Sequence, residues 1–273
     1  MNPNIYAKVI CDSVSPLGIR LTSVELQLPR FVLPQLLMTR LWSRSCESLR
    51  ARPVKSKWQE VADNPYIPTF KQNQKGMSPG PVLSLEDESA ALEAVGELHL
   101  KTLNTVTRLM ELGVCKEIAN RYLEPFCYQR VLVTSTDFKN FLRLRCASDA
   151  QEEIQEVANR LQEALVASAP VRRAYHYPYV TENEFANWSQ GADKLRRVCM
   201  ARCARISYLT HDGKRDTGKD LELAETLITS GHSNPAEHGC EMAPDNRRYG
   251  NHKGWISFRY QLEQTGVLPD PEG

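Results

Sequence analysis

Residues 23–54 run SVELQLPRFVLPQLLMTRLWSRSCESLRARPV, and this stretch sets the predicted fold. Its first part alternates apolar and polar residues up to Pro29, which is the period of a strand with one buried face. Apolar residues at helical spacing follow over 31–43, with Pro34 near the first turn. The stretch therefore predicts a strand that leads into a helix and then into an arginine-rich loop.

The alternation begins before this stretch, so residues 5–28 as a whole are predicted to be strand. The apolar positions change phase across Thr22 and Ser23. A slip of one residue in a period of two predicts a bulge or a bend there. Residues 130–135, rich in Val and Leu, predict another strand.

The chain also predicts a series of helices. The clearest covers 85–112, and its apolar stripe includes His99, which is therefore expected to be a core histidine. Ser148 and Gln151 have the spacing of a capping box that opens a helix ending at Pro170. Further helices are predicted over 115–123, 137–145, 192–206 and 217–230.

The other segments have little periodicity. Residues 52–85 contain five prolines and predict a long ordered loop, with or without a short helix. Residues 170–197 are aromatic and irregular, and the last forty residues are loop-like apart from an apolar patch at Trp255–Phe258. Helices thus outnumber strands, and the predicted fold class is α+β.

Composition excludes several classes of function. The net charge is +1, so no overall field favours a nucleic-acid polymer or an anionic membrane surface. No apolar run reaches the length of a membrane span and the N-terminus has no apolar signal core, so a cytoplasmic protein is expected. The eight cysteines form no C-x-x-C pair and no zinc-like set, so we expect reduced thiols and no metal site.

The arginine-rich loop is the main candidate for chemistry. Arg40, Arg44 and Arg50 lie among three serines and one carboxylate. Guanidinium groups bind phosphate with two parallel hydrogen bonds, and hydroxyls fill the remaining acceptor sites, so the loop suits a phosphate. A solvated helix end with scattered charge is the alternative interpretation.

Arg121 and Arg145 are two further candidates for anion binding. Arg145 follows apolar neighbours and is expected to be partly buried, where a guanidinium needs an anion or a polar partner. A structural salt bridge from Arg145 to Asp149 or Glu153 is the alternative.

Five segments of the chain match, in order, the segments of a known family. In the first, Arg40 is followed by seven residues, Ser48 and then Arg50. The others are NQKGM at 73–77, KEIANRYLEPF at 116–126, NFLRLRCASDAQEEI at 140–154, and ARISYLTHDGKRD followed by GHSNPAEH near the C-terminus. Together they resemble the flavin-dependent thymidylate synthases, whose signature reads R-H-R, seven residues, then S. In better-known members the last two pieces precede the signature, so the order here is similar to that of a phage-type and bacterial branch with permuted segments.

The resemblance implies one helix-rich domain over 1–273 with a small, mostly antiparallel sheet, and a homotetramer whose active sites lie where subunits meet. It implies a methyltransferase of nucleotide biosynthesis that moves a one-carbon unit from methylenetetrahydrofolate to C5 of the pyrimidine nucleotide dUMP, which gives thymidylate. FAD reduced by NADPH supplies the hydride, and no enzyme cysteine attacks the base, so the protein binds and orients. The implied setting is the cytoplasm of a bacterium or of a phage-infected bacterium.

The resemblance also carries site roles to particular positions. Arg145 matches the arginine that holds the pyrimidine and favours loss of its N3 proton, and Ser48 is the second catalytic candidate. The nucleotide-binding positions are Gln35, Cys46, Glu47, Ser48, Leu49, Arg50, Arg121 and Arg145. The flavin-binding positions are Thr39, Arg40, Asn140, Ser207, His232, Asn234 and Glu237.

The chain departs from the signature at Met38 and Thr39, which replace its arginine and histidine, and at Ser45. Because these positions surround the base and the flavin ring, two alternatives stay open. One is a relative that methylates UMP, or methylates or hydroxymethylates dCMP or dUMP; the Glu47 carboxylate could accept from the exocyclic amine of dCMP. The other is a nucleotide- or flavin-binding protein without catalysis. A Cys46 thiol that attacks C6 is a further possibility, and it needs an activated thiolate.

Overall fold

The computed structural model describes residues 2–76, 79–207 and 215–268. Parts of two resembling segments, Met77 and residues 208–214, lie outside the described residues, and of Ser207 only the backbone is described. The helices are α1 (Leu33–Leu37), α2 (Val54–Asp63), α3 (Leu85–Glu111), α4 (Lys116–Ala119), α5 (Lys139–Arg145), α6 (Glu152–Ala167), α7 (Glu182–Ala186), α8 (Ala192–Ala204), α9 (Thr217–Thr229) and α10 (Phe258–Gln264). Short 3₁₀ helices cover Arg30–Val32, Asn120–Phe126, Arg205–Ser207 and Asn234–Glu237.

A β-hairpin lies at the centre of the main sheet. Its strands, β1 (Tyr6–Val14) and β2 (Arg20–Pro29), pair antiparallel. Gly18 in the connecting turn has a φ of +79°, a conformation that glycine adopts at little cost. The prediction of one strand over 5–28 is therefore wrong, because the Pro-Leu-Gly turn folds the run back on itself.

The remaining strands of the main sheet are β3 (Ser43–Cys46), β4 (Tyr128–Ser135) and β5 (Val171–Arg172), and the sheet has the order β3-β4-β2-β1-β5. All neighbours are antiparallel except β5, which runs parallel to β1. The predicted bulge lies opposite its expected place: the pairing shifts between Val9 and Cys11, so the extra residue is on β1 and faces the Ser23–Val24 step of β2.

One face of the main sheet is apolar and packs on α6. Ile154, Val157 and Leu161 of this helix are fully buried against it. The predicted capping box is wrong, because α6 begins after Gln151 and no side chain caps its first turn. The helix is held by burial of its apolar stripe.

The long helix α3 confirms the 85–112 prediction. Ser84 caps it by accepting a hydrogen bond from the backbone N–H of Asp87 at 3.1 Å. His99 lies half-buried on it, with Nε2 3.0 Å from the carbonyl oxygen of Val61 and its ring packed on Phe126. It is a satisfied core histidine, as predicted.

Other boundaries needed correction. The helix predicted over 31–43 ends at Leu37, because the chain turns so that Trp42 is buried before β3 begins. The helix predicted over 115–123 becomes a 3₁₀ helix after Ala119, and the loop predicted over 52–85 contains the ten-residue α2. The predictions over 137–145, 192–206 and 217–230 correspond to α5, α8 and α9.

The last forty residues are not loop-like. They contain β7 (Cys240–Met242), β8 (Arg248–Tyr249), β9 (His252–Lys253) and β10 (Trp255–Ser257), and β7 pairs with β6 (Tyr175–His176) and β10. Leu132 of β4 packs against α8, and Leu21 of β2 packs against Cys240 and Trp255, so α8, β7 and β10 lie on the second face of the main sheet. The helix-rich α+β class with mostly antiparallel sheets is confirmed, whereas a single domain over 1–273 stays a prediction. Among the described residues, no helix is long and apolar enough to span a bilayer.

Candidate functional site

The signature loop, residues 46–52, is held in place by the buried side chain of Glu47. This carboxylate is buried and pairs with the Arg52 guanidinium at 2.5 Å, and the Arg130 guanidinium lies 3.7 Å away. The Glu47 backbone N–H donates to the carbonyl of Arg130 at 2.9 Å, and the Gln129 amide donates to the Glu47 carbonyl at 2.7 Å. Glu47 thus faces inward in this structure, and a contact with a bound base stays a prediction that requires its ion pair to open.

A second anchor joins the signature loop to the 3₁₀ helix Asn120–Phe126. The buried Asn120 amide donates to the carbonyls of Leu49 and Arg52 at 2.8 and 3.0 Å. Leu49 is itself buried, so it fixes the loop. The flanking Ser48 and Arg50 are exposed.

This anchoring places two predicted phosphate arginines on one surface. Arg50 pairs with Glu117 at 3.2 Å, and Arg121 pairs with Glu124 at 2.9 Å. Glu117 precedes Arg121 by about one helical turn, so the two arginines lie on the same surface. Both guanidiniums are more than half exposed, at 69% and 53%. Exposed pairs of this kind contribute about 0–1 kcal/mol, so a phosphate can displace the carboxylates.

A second group of predicted residues surrounds α5. Trp42 packs on Phe138 and Phe141, with ring centroids 5.1 and 4.6 Å away, and its indole N–H donates to the carbonyl of Asp137 at 3.0 Å. The loop with Thr39 and Arg40 is thereby held against the helix that carries Asn140 and Arg145. Gln35 extends the group, because its amide donates to Gln151 Oε1.

Arg145 is half-buried and forms no ion pair with any of the described residues. The salt bridge that offered an alternative explanation is not made: Glu153 accepts from the Tyr66 hydroxyl at 2.8 Å. Asn140, by contrast, is exposed and accepts from Arg143 at 3.1 Å. Arg145 is therefore available to an anion.

The third group comes from the C-terminal part of the chain. Glu237 accepts from Arg259 at 2.5 Å and from the Asn251 amide at 3.1 Å, and Asn234 also accepts from Arg259. His232 is exposed and bonded to the Ser230 hydroxyl, and the side chain of the predicted Ser207 lies outside the described residues. A cavity of about 250 Å³ adjoins this group and is lined by Ser43, Glu237, Gly250, Asn251, Ser257, Arg259, Tyr260 and Glu263.

Two buried histidines connect the third group to β3. His238 contacts Ser45 Oγ through Nε2 at 2.9 Å and Thr134 Oγ1 through Nδ1 at 2.8 Å. His252 Nε2 lies 3.2 Å from Ser43 Oγ. Burial lowers the pKa of His238 to about 3 and that of His252 to about 4, so both are neutral near pH 7.

The same kind of contact continues along the sheet. His176 lies between Ser13 and Ser23, with ring nitrogens 2.9 and 2.8 Å from their hydroxyls, and Ser23 contacts Thr134. We call this set of serine, threonine and histidine contacts the hydroxyl–imidazole interface. Sequence reasoning missed these histidines; the only signal was the final histidine of GHSNPAEH.

Cys46 shows no sign of activation. Its side chain packs against the apolar core, and burial raises the pKa of its thiol, while the charges of Arg30 and Arg44 lower it by less. A nucleophilic cysteine requires the opposite shift.

The α+β scaffold thus displays exposed arginines, which suit an anion such as a phosphate, and a separate polar cavity. The family model described as thymidylate synthase complementing protein (Thy1) matches residues 13–171, more than half of the sequence, and the chain belongs to this family. The predicted family is confirmed, and the protein is a methyltransferase-like enzyme.

Two relatives illustrate the likeness. The flavin-dependent thymidylate synthase of Kosmotoga olearia is 28% identical over 177 residues, which cover 63% of this chain and 70% of that protein. The crystal structure of a UMP/dUMP methylase, PolB from Streptomyces cacaoi bound with 5-Br UMP, matches with a TM-score of 0.50 and 18% identity. The match covers 60% of this chain and 90% of the PolB chain. At 18% identity, this likeness shows a shared fold only.

Proposed function

We propose that this enzyme methylates C5 of a pyrimidine nucleoside monophosphate, with dUMP as substrate, methylenetetrahydrofolate as one-carbon donor and NADPH-reduced FAD as hydride source. The observation that carries the proposal is the pair of exposed arginines, Arg50 and Arg121, held on one surface by Asn120. The family and the flavin-dependent relative support it.

The nucleotide roles divide between two groups. Arg50 and Arg121, with the Ser48 hydroxyl, bind the phosphate through charge-assisted hydrogen bonds. Arg145 and Gln35 belong to the group around α5, and Arg145 contacts the pyrimidine. A fixed cation beside the ring stabilises the anion that forms when N3 loses its proton, and this makes C5 more nucleophilic.

The residues present fit a flavin. The cavity at Glu237 and Asn251 offers carboxylate and amide groups for uncharged polar atoms, whereas Arg40 is exposed and has no ion pair among the described residues, so it suits the diphosphate. When bound, the flavin supplies the hydride. Thr39 stands where the family signature has a histidine, so it offers a hydroxyl to that ring in place of an imidazole.

The three groups lie on separate elements, and we propose that a homotetramer brings them together across subunits. Exposed apolar side chains beside the α5 group support this arrangement, namely Met38 (70% exposed), Leu41 (48%) and Leu144 (47%). A contiguous exposed apolar surface is typical of a face that another chain covers, and these three side chains are the candidates for it.

The test begins with the purified protein and its flavin absorption spectrum. Each of dUMP, UMP and dCMP is then supplied with methylenetetrahydrofolate, NADPH and FAD, and products are identified by mass spectrometry. We expect flavin binding and a methyl gain on dUMP in preference to the others. Deuteride carried from reduced flavin into the product excludes a binding protein without catalysis. A protein that takes up no FAD refutes the proposal, and a preference for UMP or dCMP refutes the assignment of dUMP.

A further inference from the structure

Arg259 connects several side chains in the C-terminal part, beyond the 13–171 match to the family model. Its Nη1 donates to the Glu237 carboxylate at 2.5 Å and to Asn234 Oδ1 at 3.2 Å, and its Nε donates to Glu263 at 2.8 Å. Glu237 and Asn234 are both predicted flavin positions. One arginine thus fixes two of the predicted cofactor side chains.

The Glu237 carboxylate is held from both sides. Arg259 binds Oε1, and the Asn251 amide donates to Oε2 at 3.1 Å. Only 16% of the Glu237 side chain is exposed, and its backbone carbonyl lies 3.1 Å from Nε2 of the buried His252. Since Glu237 also lines the 250 Å³ cavity, a ligand there meets a carboxylate of fixed orientation.

The charge of the cavity indicates which part of a ligand it accepts. Glu237 and Glu263 contribute two negative charges and Arg259 one positive charge, so a phosphate is disfavoured. Carboxylates favour hydrogen-bond donors such as ring N–H groups and hydroxyls. At about 250 Å³ the cavity is smaller than the roughly 300–1,000 Å³ of pockets that take whole ligands, so it holds one part of a larger molecule.

We propose that Arg259 is a positioning residue of the flavin site. It holds the Glu237 carboxylate so that the carboxylate accepts hydrogen bonds from the ring N–H or the ribityl hydroxyls of FAD, while the diphosphate lies elsewhere. The inference rests on the proposed function, because it takes FAD as the ligand.

The experiment measures the dissociation constant of FAD by fluorescence titration of the flavin-free full-length protein, without turnover. Arg259→Gln removes the charge, and we expect FAD to bind about tenfold more weakly or worse. Arg259→Lys keeps the charge but not the fork, and a smaller loss is expected; this variant provides the measurement should Arg259→Gln not fold. Arg247→Gln is the matched control, because Arg247 is exposed, pairs with Asp245 and does not line the cavity. Its affinity for FAD should equal that of the wild type.

A double-mutant cycle separates positioning from general stabilisation. Glu237→Gln alone should weaken FAD about as much as Arg259→Gln, and the double variant should bind no more weakly than Glu237→Gln, since Arg259 acts through that carboxylate. Wild-type affinity in the Arg259 variants, fully additive losses, or tighter binding by Glu237→Gln would each overturn the inference. Tighter binding would place the diphosphate in the cavity. A wild-type protein that binds no FAD refutes the proposed function and this inference together, whereas wild-type binding with unaffected Arg259 variants refutes the inference alone.

Discussion

Glu47→Gln removes a buried negative charge and keeps the shape of the side chain. Only 2% of the Glu47 side chain and 7% of the Arg52 side chain are exposed. Removing one partner of a buried ion pair costs about 3–5 kcal/mol when the other charge is left alone. Here Arg52 keeps Glu60 at 2.9 Å and the new amide still accepts a hydrogen bond, so we expect a loss of about 2–3 kcal/mol in the free energy of unfolding.

Thermal denaturation with matched denaturant unfolding measures this loss. For a chain of this size, about 2–4 °C of melting temperature corresponds to each kcal/mol, so Glu47→Gln should melt roughly 4–12 °C lower. Glu117→Gln is the control, because its pair with Arg50 is exposed, and it should change stability by roughly 0.5 kcal/mol or less. If Glu47→Gln melts with the wild type while the preference between dUMP and dCMP changes, the carboxylate is a substrate contact and not an anchor.

Further predictions concern catalysis and pH. Arg145→Ala should lower kcat/KM for the nucleotide at least tenfold with an unchanged melting temperature, because the guanidinium makes no ion pair with the described residues that its loss could break; a large loss of stability with normal kinetics would refute this. Cys46→Ser should keep turnover, since burial raises the thiol pKa, and an inactive but folded variant would revive the nucleophile. Burial lowers the pKa of His176, His238 and His252 below the unfolded value, so their contribution to stability is present above about pH 6.5 and is lost as pH falls. Between pH 7 and pH 5, unfolding titrations should show a loss of about 2 kcal/mol for each of His238 and His252, and a flat profile would contradict the buried neutral state.

Local patterns predicted α3 almost to the residue, because its stripe has helical period and Ser84 caps it. The hairpin was missed because a strand-like apolar pattern is present on both sides of the turn at Gly18, so the two strands looked like one. The short strands β7 and β10 were missed for another reason. Each is three residues long and exists only through pairing with distant segments, so no local period marks them.

The candidate site also divides into features that a local sequence pattern marks and features that depend on tertiary contacts. The family resemblance assigned roles to Ser48 and Arg50 from sequence, since the signature is a property of one continuous segment. It gave no warning that the Glu47 carboxylate turns inward to Arg52, nor that Arg259 crosses to Glu237, because both contacts depend on tertiary packing. The predicted roles of the nucleotide- and flavin-binding residues stay predictions.

The hydroxyl–imidazole interface has a consequence for synthesis of the chain. Ser13, Ser23, Ser45 and Thr134 belong to strands that leave the ribosome before the histidines that cover them are made. His176 covers Ser13 and Ser23, and His238 covers Ser45 and Thr134. The hydroxyls at these positions are hydrated in the open sheet, so they attract other nascent chains less than apolar side chains would. Once the cover arrives, a misplaced register leaves buried hydroxyls without partners, at about 1–3 kcal/mol each. Because these histidines follow the strands in the chain, closure of this part of the sheet waits for later segments, and the cost of unpaired hydroxyls favours the native register.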